Sequence, residues 1–181
     1  MYDILPTNFD MVEINKSLNN LLLNAPFHTR NQICLTNKIG CTNPYYEGTG
    51  SLFYEGDFEN GIKISKTVVY KESDYSEFNI NLHNSYFYNI YNCWINDYGL
   101  TLGRVRLMKL NRKKCLSWHA DSHKRIHLPI ITDENCKMVV EDRAFHLPSD
   151  GNSFIVDTTL PHTVFNGSVD VERVHIVGTI L

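Results

Sequence analysis

RIHLPIITDENCKMVVEDRAFHLPSDGNSFIVD (residues 125–157) alternates short β-rich runs with clusters of turn residues. Residues 125–131, 136–141, 143–147 and 153–157 have the branched and aromatic content of strands. Asp133-Glu134-Asn135 and Pro148-Ser149-Asp150-Gly151-Asn152 break them, because these residue types favour turns over ladders. The texture extends outward in both directions. Residues 102–110 and 115–119 precede it, separated at Asn111; residues 162–166 and 172–180 follow, separated at Asn166-Gly167. Eight short strands so punctuated predict a mainly β fold, a double-sheet jelly roll or closed barrel.

Before Gly99 the pattern differs. Asp10 with Glu13 has the form of a capping box, and Met11, Ile14, Leu18, Leu21 and Leu22 recur at helical spacing up to Pro26. Residues 32–36 (QICLT) read as a strand, and 37–50 as a loop. A second helix is expected from about Asp74–Glu77, with Phe78, Leu82, Phe87, Ile90 and Trp94 as its inner face. These helices are expected to cover one sheet, and loops 37–50 and 55–61 to cover a pocket entrance. At 181 residues the chain suits one domain over 1–181: a mixed helical part, 1–100, and a jelly-roll core, 101–181.

Composition (43% hydrophobic, 20% charged) excludes a disordered chain. The start lacks a basic, then apolar, leader. No apolar run approaches the about 18 residues of a membrane span. A cytoplasmic location is therefore expected. Five cysteines without a C-x-x-C pair point to reduced packing thiols, not a disulfide framework or structural zinc site. Six basic residues lie between Arg104 and Lys114. The expected reading is a solvated strand face and turn; the alternative is a docking surface for an acidic partner or nucleic acid. No aromatic side chains interleave to stack on bases, so nucleic acid is not the expected partner.

His119-Ala120-Asp121 lies at the end of an expected strand, where residues two apart project to one side. His162 follows 43 residues later and Arg173 a further 11. Two histidines and a carboxylate can hold one face of an octahedral iron(II) and leave three positions open. Arg173 sits in ERVHIVGTIL, a run dense in β-branched residues, and a buried arginine needs an anionic partner. Arg125 and His127 form another i, i+2 pair. Together with Arg173 they could hold a dicarboxylate cosubstrate. His175 shares the face of Arg173 without an assigned role. A helical zinc site on His119, His123 and His127 is disfavoured: Ala120 stands where a general base is needed, and Pro129 interrupts a helix.

From Arg104 to Val177 the chain (RVRLMKL…SWHAD…KRIHLPI…DTTLPHTVFNG…RVHIV) resembles the aspartyl/asparaginyl β-hydroxylase family of iron(II)/2-oxoglutarate oxygenases. The resemblance covers about the last 80 residues. It implies an eight-stranded double-stranded β-helix. It implies Fe(II) at His119 and His162, and 2-oxoglutarate at Arg173, Arg125 and His127. It further implies that O2 is consumed, with ascorbate as an accessory reductant, and that a C–H bond of an amino-acid side chain in a protein or peptide is hydroxylated. The animal members lack the metal-binding carboxylate; Asp121 makes this chain more similar to bacterial members, some of which hydroxylate free proline. A free amino acid is therefore the alternative substrate. A nucleic-acid demethylase shares H-x-D…H but resembles a pattern with a second arginine six residues after the first; here that residue is Thr179. A non-enzymatic jelly-roll binding module is the remaining alternative, and a complete triad argues against it.

Overall fold

Asp10 sets where the first helix begins. Its backbone is extended, and its Oδ1 accepts the N–H groups of Val12 (2.8 Å) and Glu13 (3.3 Å). The reciprocal half of the expected capping box is absent, because the Asp10 N–H donates to the Tyr86 hydroxyl (3.2 Å). In the computed structural model the described residues are 2–28, 30–50, 52, 58–59, 62–63 and 70–181. Strand β1 (Tyr2–Leu5) leads to α1 (Met11–Asn24), which buries Ile14, Leu18 and Leu21 and ends at Ala25. Pro26 disfavours the helical region for the residue before it. Next come β2 (Gln32–Cys34), β3 (Thr36–Asn37), and the small hairpin of β4 (Phe58–Glu59) with β5 (Ile62–Lys63). Most of the 55–61 loop expected to cover the entrance lies outside the described residues.

The second helix starts about ten residues later than its apolar stripe suggests. β6 (Glu77–Phe78) pairs with β3 instead, and α2 covers only Tyr86–Asn92 before a π turn at Cys93–Asp97. Asn79 explains the delay. Its N–H donates to the Leu35 carbonyl (2.8 Å), which holds it beside β3, and its Oδ1 accepts from Asn81 N–H (3.1 Å), capping a separate 3-10 turn (Ile80–Leu82) ahead of α2. All five expected inner-face residues are nevertheless buried.

The eight expected strands are β7 (Leu102–Leu110), β8 (Lys114–Cys115), β9 (Arg125–Ile131), β10 (Cys136–Val140), β11 (Arg143–Phe145), β12 (Ser153–Val156), β13 (His162–Asn166) and β14 (Arg173–Ile180). They divide four and four. The larger sheet has the order β1-β12-β9-β14-β7-β2, and the smaller β11-β10-β13-β8. This is the jelly roll, with β1 and β2 lent by the N-terminal part to the edges of the larger sheet. The run at 115–119 is the one that falls short, since its regular ladder stops at Cys115.

Alternation assigns each side chain of the larger sheet to a face. Val105, Leu107, Ile126, Leu128, Val174 and Ile176 face the helices and pack with Ile14, Leu18, Phe87, Ile90 and Trp94. Each fully buried aliphatic side chain there contributes about 1.5–3 kcal/mol. Trp94 also donates its indole N–H to Ser153 Oγ (2.9 Å), joining the π turn to β12. A second apolar cluster, including Met138, Val140, Phe154, Val156 and Val164, draws on both sheets.

The opposite parity of the larger sheet is polar: Arg104, Arg106, Arg125, His127, Arg173, His175 and Thr179 are all buried. This corrects the reading of the basic run as a solvated face. Arg104 and Arg106 are 3% and 4% exposed, and Lys109 pairs with Glu172 (3.0 Å). Only Arg112, Lys113 and Lys114, in the turn and the start of β8, stand in solvent.

Candidate metal centre

His119, Asp121 and His162 each offer a ligand atom, and these atoms lie within 4.8 Å of one another. The local backbone builds the group. His119 and His162 exchange both N–H···O=C bonds (3.1 and 2.8 Å), and the Asp121 N–H donates to the Thr158 carbonyl (2.8 Å). Leu116 N–H donates to the Val164 carbonyl (2.9 Å), so residues 116–121 run beside β13 and its approach after the ladder ends.

Both imidazoles could bind a metal through Nε2. The Nδ1 atoms of His119 and His162 lie 2.8 and 3.0 Å from the carbonyls of Ser117 and Leu160. A carbonyl only accepts, so Nδ1 carries the proton and Nε2 keeps its lone pair. Burial lowers the pKa of His162, outweighing the carbonyl bond that favours its charged form. The imidazole is thereby kept neutral, as a ligand must be. Asp121 Oδ2 accepts from Arg125 Nε (3.0 Å), which fixes the orientation of its carboxylate.

The group opens on a cleft of about 500 Å³ between the sheets, lined also by Gln32, Arg104, Arg106, Arg125 and His127. Deeper in the fold, buried donors lack acceptors. Arg173 Nη2 donates to His175 Nδ1 (2.9 Å), and no carboxylate lies within 4 Å of Arg173 among the described residues. Because an arginine only donates, His175 Nδ1 must accept, and the proton sits on Nε2, which has no partner. Both ring nitrogens of His127 are also unpartnered and buried. Burial, then the charge of Arg173, holds the pKa of both histidines well below the usual value. Burial pushes Arg173 down to about 10. A buried cation next to unsatisfied imidazoles is unfavourable without an anion or acceptor between them.

Arg125 is differently placed. Besides Asp121, it donates to Thr179 Oγ1 and lies 3.8 Å from Glu72 Oε1. Glu72 itself takes Arg104 Nε (3.0 Å) and Nη2 (2.8 Å) in a fork, and the Thr179 hydroxyl (3.0 Å). Burial alone would raise the pKa of Glu72; the bonds and charge of Arg104, with Arg125 and Arg106 behind, instead hold it at about 2. Gly103 permits this approach, since a Cβ there would lie 2.9 Å from the Glu72 carbonyl oxygen.

The sequence pattern therefore brings its metal trio together and gathers Arg125, His127 and Arg173 on one inner face. It misses Glu72, Arg106 and the part played by His175. The signal for Arg106 was present, as Arg104 and Arg106 alternate with Val105 and Leu107 in the way His119 alternates with Asp121. Glu72 carries no such signal: it sits in a single 3-10 turn far along the chain from its partners.

A family model described as aspartyl/asparaginyl beta-hydroxylase matches residues 70–180, a span that includes Glu72. Among solved structures, an oxidoreductase of the 2OG-Fe(II) oxygenase family from Burkholderia pseudomallei superposes with TM-score 0.54. It is 13% identical, over 99% of this chain and 83% of its own. A cupin superfamily protein from Desulfitobacterium hafniense (TM-score 0.35, 12% identity) is matched over 43% of this chain. A conserved protein of unknown function from Streptococcus pyogenes (TM-score 0.34, 10% identity) is matched over the same share. These two matches cover 66% and 63% of those chains, just under two thirds of their length. Comparison with curated proteins gives no match. Among the described residues no helix is long and apolar enough to cross a membrane.

Proposed function

Because the chain belongs to the aspartyl/asparaginyl β-hydroxylase family, we propose that it is an Fe(II)- and 2-oxoglutarate-dependent dioxygenase that hydroxylates a C–H bond of an amino-acid side chain. The observation that carries this reading is the three-ligand group beside a wall of buried, unpartnered donors. A His, Asp, His set of mixed nitrogen and oxygen donors suits iron(II), and an anion-seeking wall suits a dicarboxylate. His119, Asp121 and His162 would hold the metal. Arg173, with His127 and Arg125, would hold 2-oxoglutarate, and His175 would add its Nε2–H. When bound, iron and 2-oxoglutarate together supply the activation of O2, with succinate and CO2 released.

The chain's own residues do the rest. The carbonyls of Ser117 and Leu160 aim the two Nε2 lone pairs, and Arg125 orients the Asp121 carboxylate. Met138, Val164 and Val177 give the cleft apolar walls that limit water near the reacting centre. Arg125 touches Asp121 and lies beside Glu72, so it supports the metal ligand as well as the anion wall.

The substrate is a side chain within a protein or peptide. His119 is exposed, and Leu116 and Trp118 (40% and 57% exposed) rim the same segment, an apolar shelf on which an extended chain can rest. A free amino acid is the second reading, favoured by a cleft of about 500 Å³.

The test is succinate formation from 2-oxoglutarate by protein loaded with Fe(II) under air, with ascorbate present and peptides or free amino acids as candidate substrates. Succinate release should need iron and rise when a substrate is added. Fully loaded protein that neither binds nor turns over 2-oxoglutarate would remove the proposal.

A further inference from the structure

The proposed reaction uses Arg173 and Arg125, and Glu72 pairs Arg104, but Arg106 in the cleft is left without an anion. Arg106 lies on β7, paired with Val177 of β14, which is in turn paired with His127 of β9. Arg106 and His127 therefore stand on one row across the inner face, with a single strand between them. Arg106 is 4% exposed and lines the cleft with the metal trio. Its Nη1 donates to Gln32 Oε1 (2.9 Å) and to the Gly50 carbonyl (3.3 Å), both neutral acceptors. Its Nε is buried without a partner. Among the described residues no carboxylate lies within 4 Å of it, since Glu72 is engaged by Arg104 and faces Arg125, and Asp121 by Arg125.

Charge makes the same point. Among the described residues, four arginines (Arg104, Arg106, Arg125 and Arg173) face the inside of the larger sheet, against two carboxylates, Glu72 and Asp121. A divalent metal and a dianionic cosubstrate cancel each other and leave that excess unchanged. Burial, then the repulsion of Arg104 and Arg125, pushes Arg106 down to about 9. A guanidinium held in this way is stabilised by an incoming anion and destabilised without one.

We infer that Arg106, held by Gln32 and Gly50, is the anchor for a carboxylate of the substrate, so that the substrate is an acid and not its amide. This rests on the oxygenase reading, in which Arg173 takes the distal carboxylate of 2-oxoglutarate. The carboxylate has two sources, the α-carboxylate of a free amino acid or an acidic side chain within a peptide. Gln32 accepts from Arg106 and from Gly50 N–H (2.8 Å), so it fixes the guanidinium against β2, with Nε left without an acceptor among the described residues.

The test uses the whole chain loaded with Ni(II), which holds the site without turnover, and saturated with 2-oxoglutarate. Binding heats are measured for the free L-amino acids against their C-terminal amides. They are also measured for blocked tripeptides, acetyl-Gly-Xaa-Gly-amide, with Xaa as Asp, Asn, Glu or Gln. At least one acid should bind more tightly than its amide partner, in the first set if the ligand is free and in the second if it is a side chain. Arg106→Gln should weaken that acid by about 10–100-fold, the loss of a charge-assisted bond. It should leave 2-oxoglutarate and metal affinity within about threefold of wild type. Arg106→Lys should recover part of the loss, and thermal melts of both variants report that they fold.

Three outcomes overturn the assignment while the oxygenase reading stands: no acid preferred over its amide by wild type, unchanged acid affinity in Arg106→Gln, or loss of 2-oxoglutarate affinity in that variant. Wild-type protein that fails to bind 2-oxoglutarate at all overturns the oxygenase reading and the assignment together.

Discussion

His162→Ala is expected to lower iron(II) affinity by more than about 100-fold and to reduce 2-oxoglutarate turnover to background. Removing a group that merely supports a ligand costs about 10–100-fold, and a lost ligand exceeds that. The substitution deletes one of three donor atoms in the trio. It leaves the backbone bonds between residues 119 and 162 intact, because these use main-chain atoms only. The melting temperature of the metal-free variant should therefore stay near that of metal-free wild type, while metal-dependent stabilisation disappears. Calorimetric titration of Fe(II) under anaerobic conditions, with thermal melts, measures both. Normal iron affinity in a folded variant would take His162 out of the site.

Glu72→Ala is expected to destabilise the fold by about 3–5 kcal/mol, the cost of leaving a buried cation without its partner. Arg104 is 3% exposed and gives Glu72 both ends of its fork, while Arg125 loses the neighbouring charge as well. Against a typical stability of about 5–15 kcal/mol, the variant would be marginal or unfolded at 37 °C. The same carboxylate gives wild type an acid limit. Its folded pKa, about 2, lies below its ordinary 4.5. The stabilisation is thus fully present above about pH 4.5 and is lost as pH falls towards 2, a change on the order of 3 kcal/mol. Urea unfolding of wild type and variant at pH 7 and pH 3 checks both statements. The gap between the two proteins should narrow at the lower pH, and a gap that is equal at both would deny Glu72 this role.

Seven of the eight strands were legible because turn residues and β-rich runs mark their boundaries, while the run at 115–119 keeps a regular ladder only at Lys114–Cys115. That His119 and Asp121 come together was legible by alternation, whereas His162 joins them through its backbone bridge to His119. What was not legible depends on partners remote in sequence. The capping-box form of Asp10 and Glu13 gave the right helix start, yet the Asp10 N–H finds Tyr86, 76 residues away. The stripe from Phe78 to Trp94 marked buried residues correctly but not a helix of that length, because Phe78 is drawn into a strand with Thr36. The basic run looked solvated because a count of charges ignores parity; its first two arginines point inward and find Glu72, Gln32 and the carbonyls of Gly48 and Gly50. Alternation puts His175 on the strand face of Arg173, but no sequence signal shows that its Nδ1 accepts from Arg173.

Binding of 2-oxoglutarate to the metal-loaded chain, compared between wild type and Arg173→Gln by anaerobic calorimetry, tests the central claim most directly. Wild type should bind it only when iron is present or bind it far more tightly then, and Arg173→Gln should weaken that binding by roughly 10–100-fold. No binding by iron-loaded wild type, or equal affinity in the variant, would contradict the assignment of this cleft to an iron and 2-oxoglutarate site.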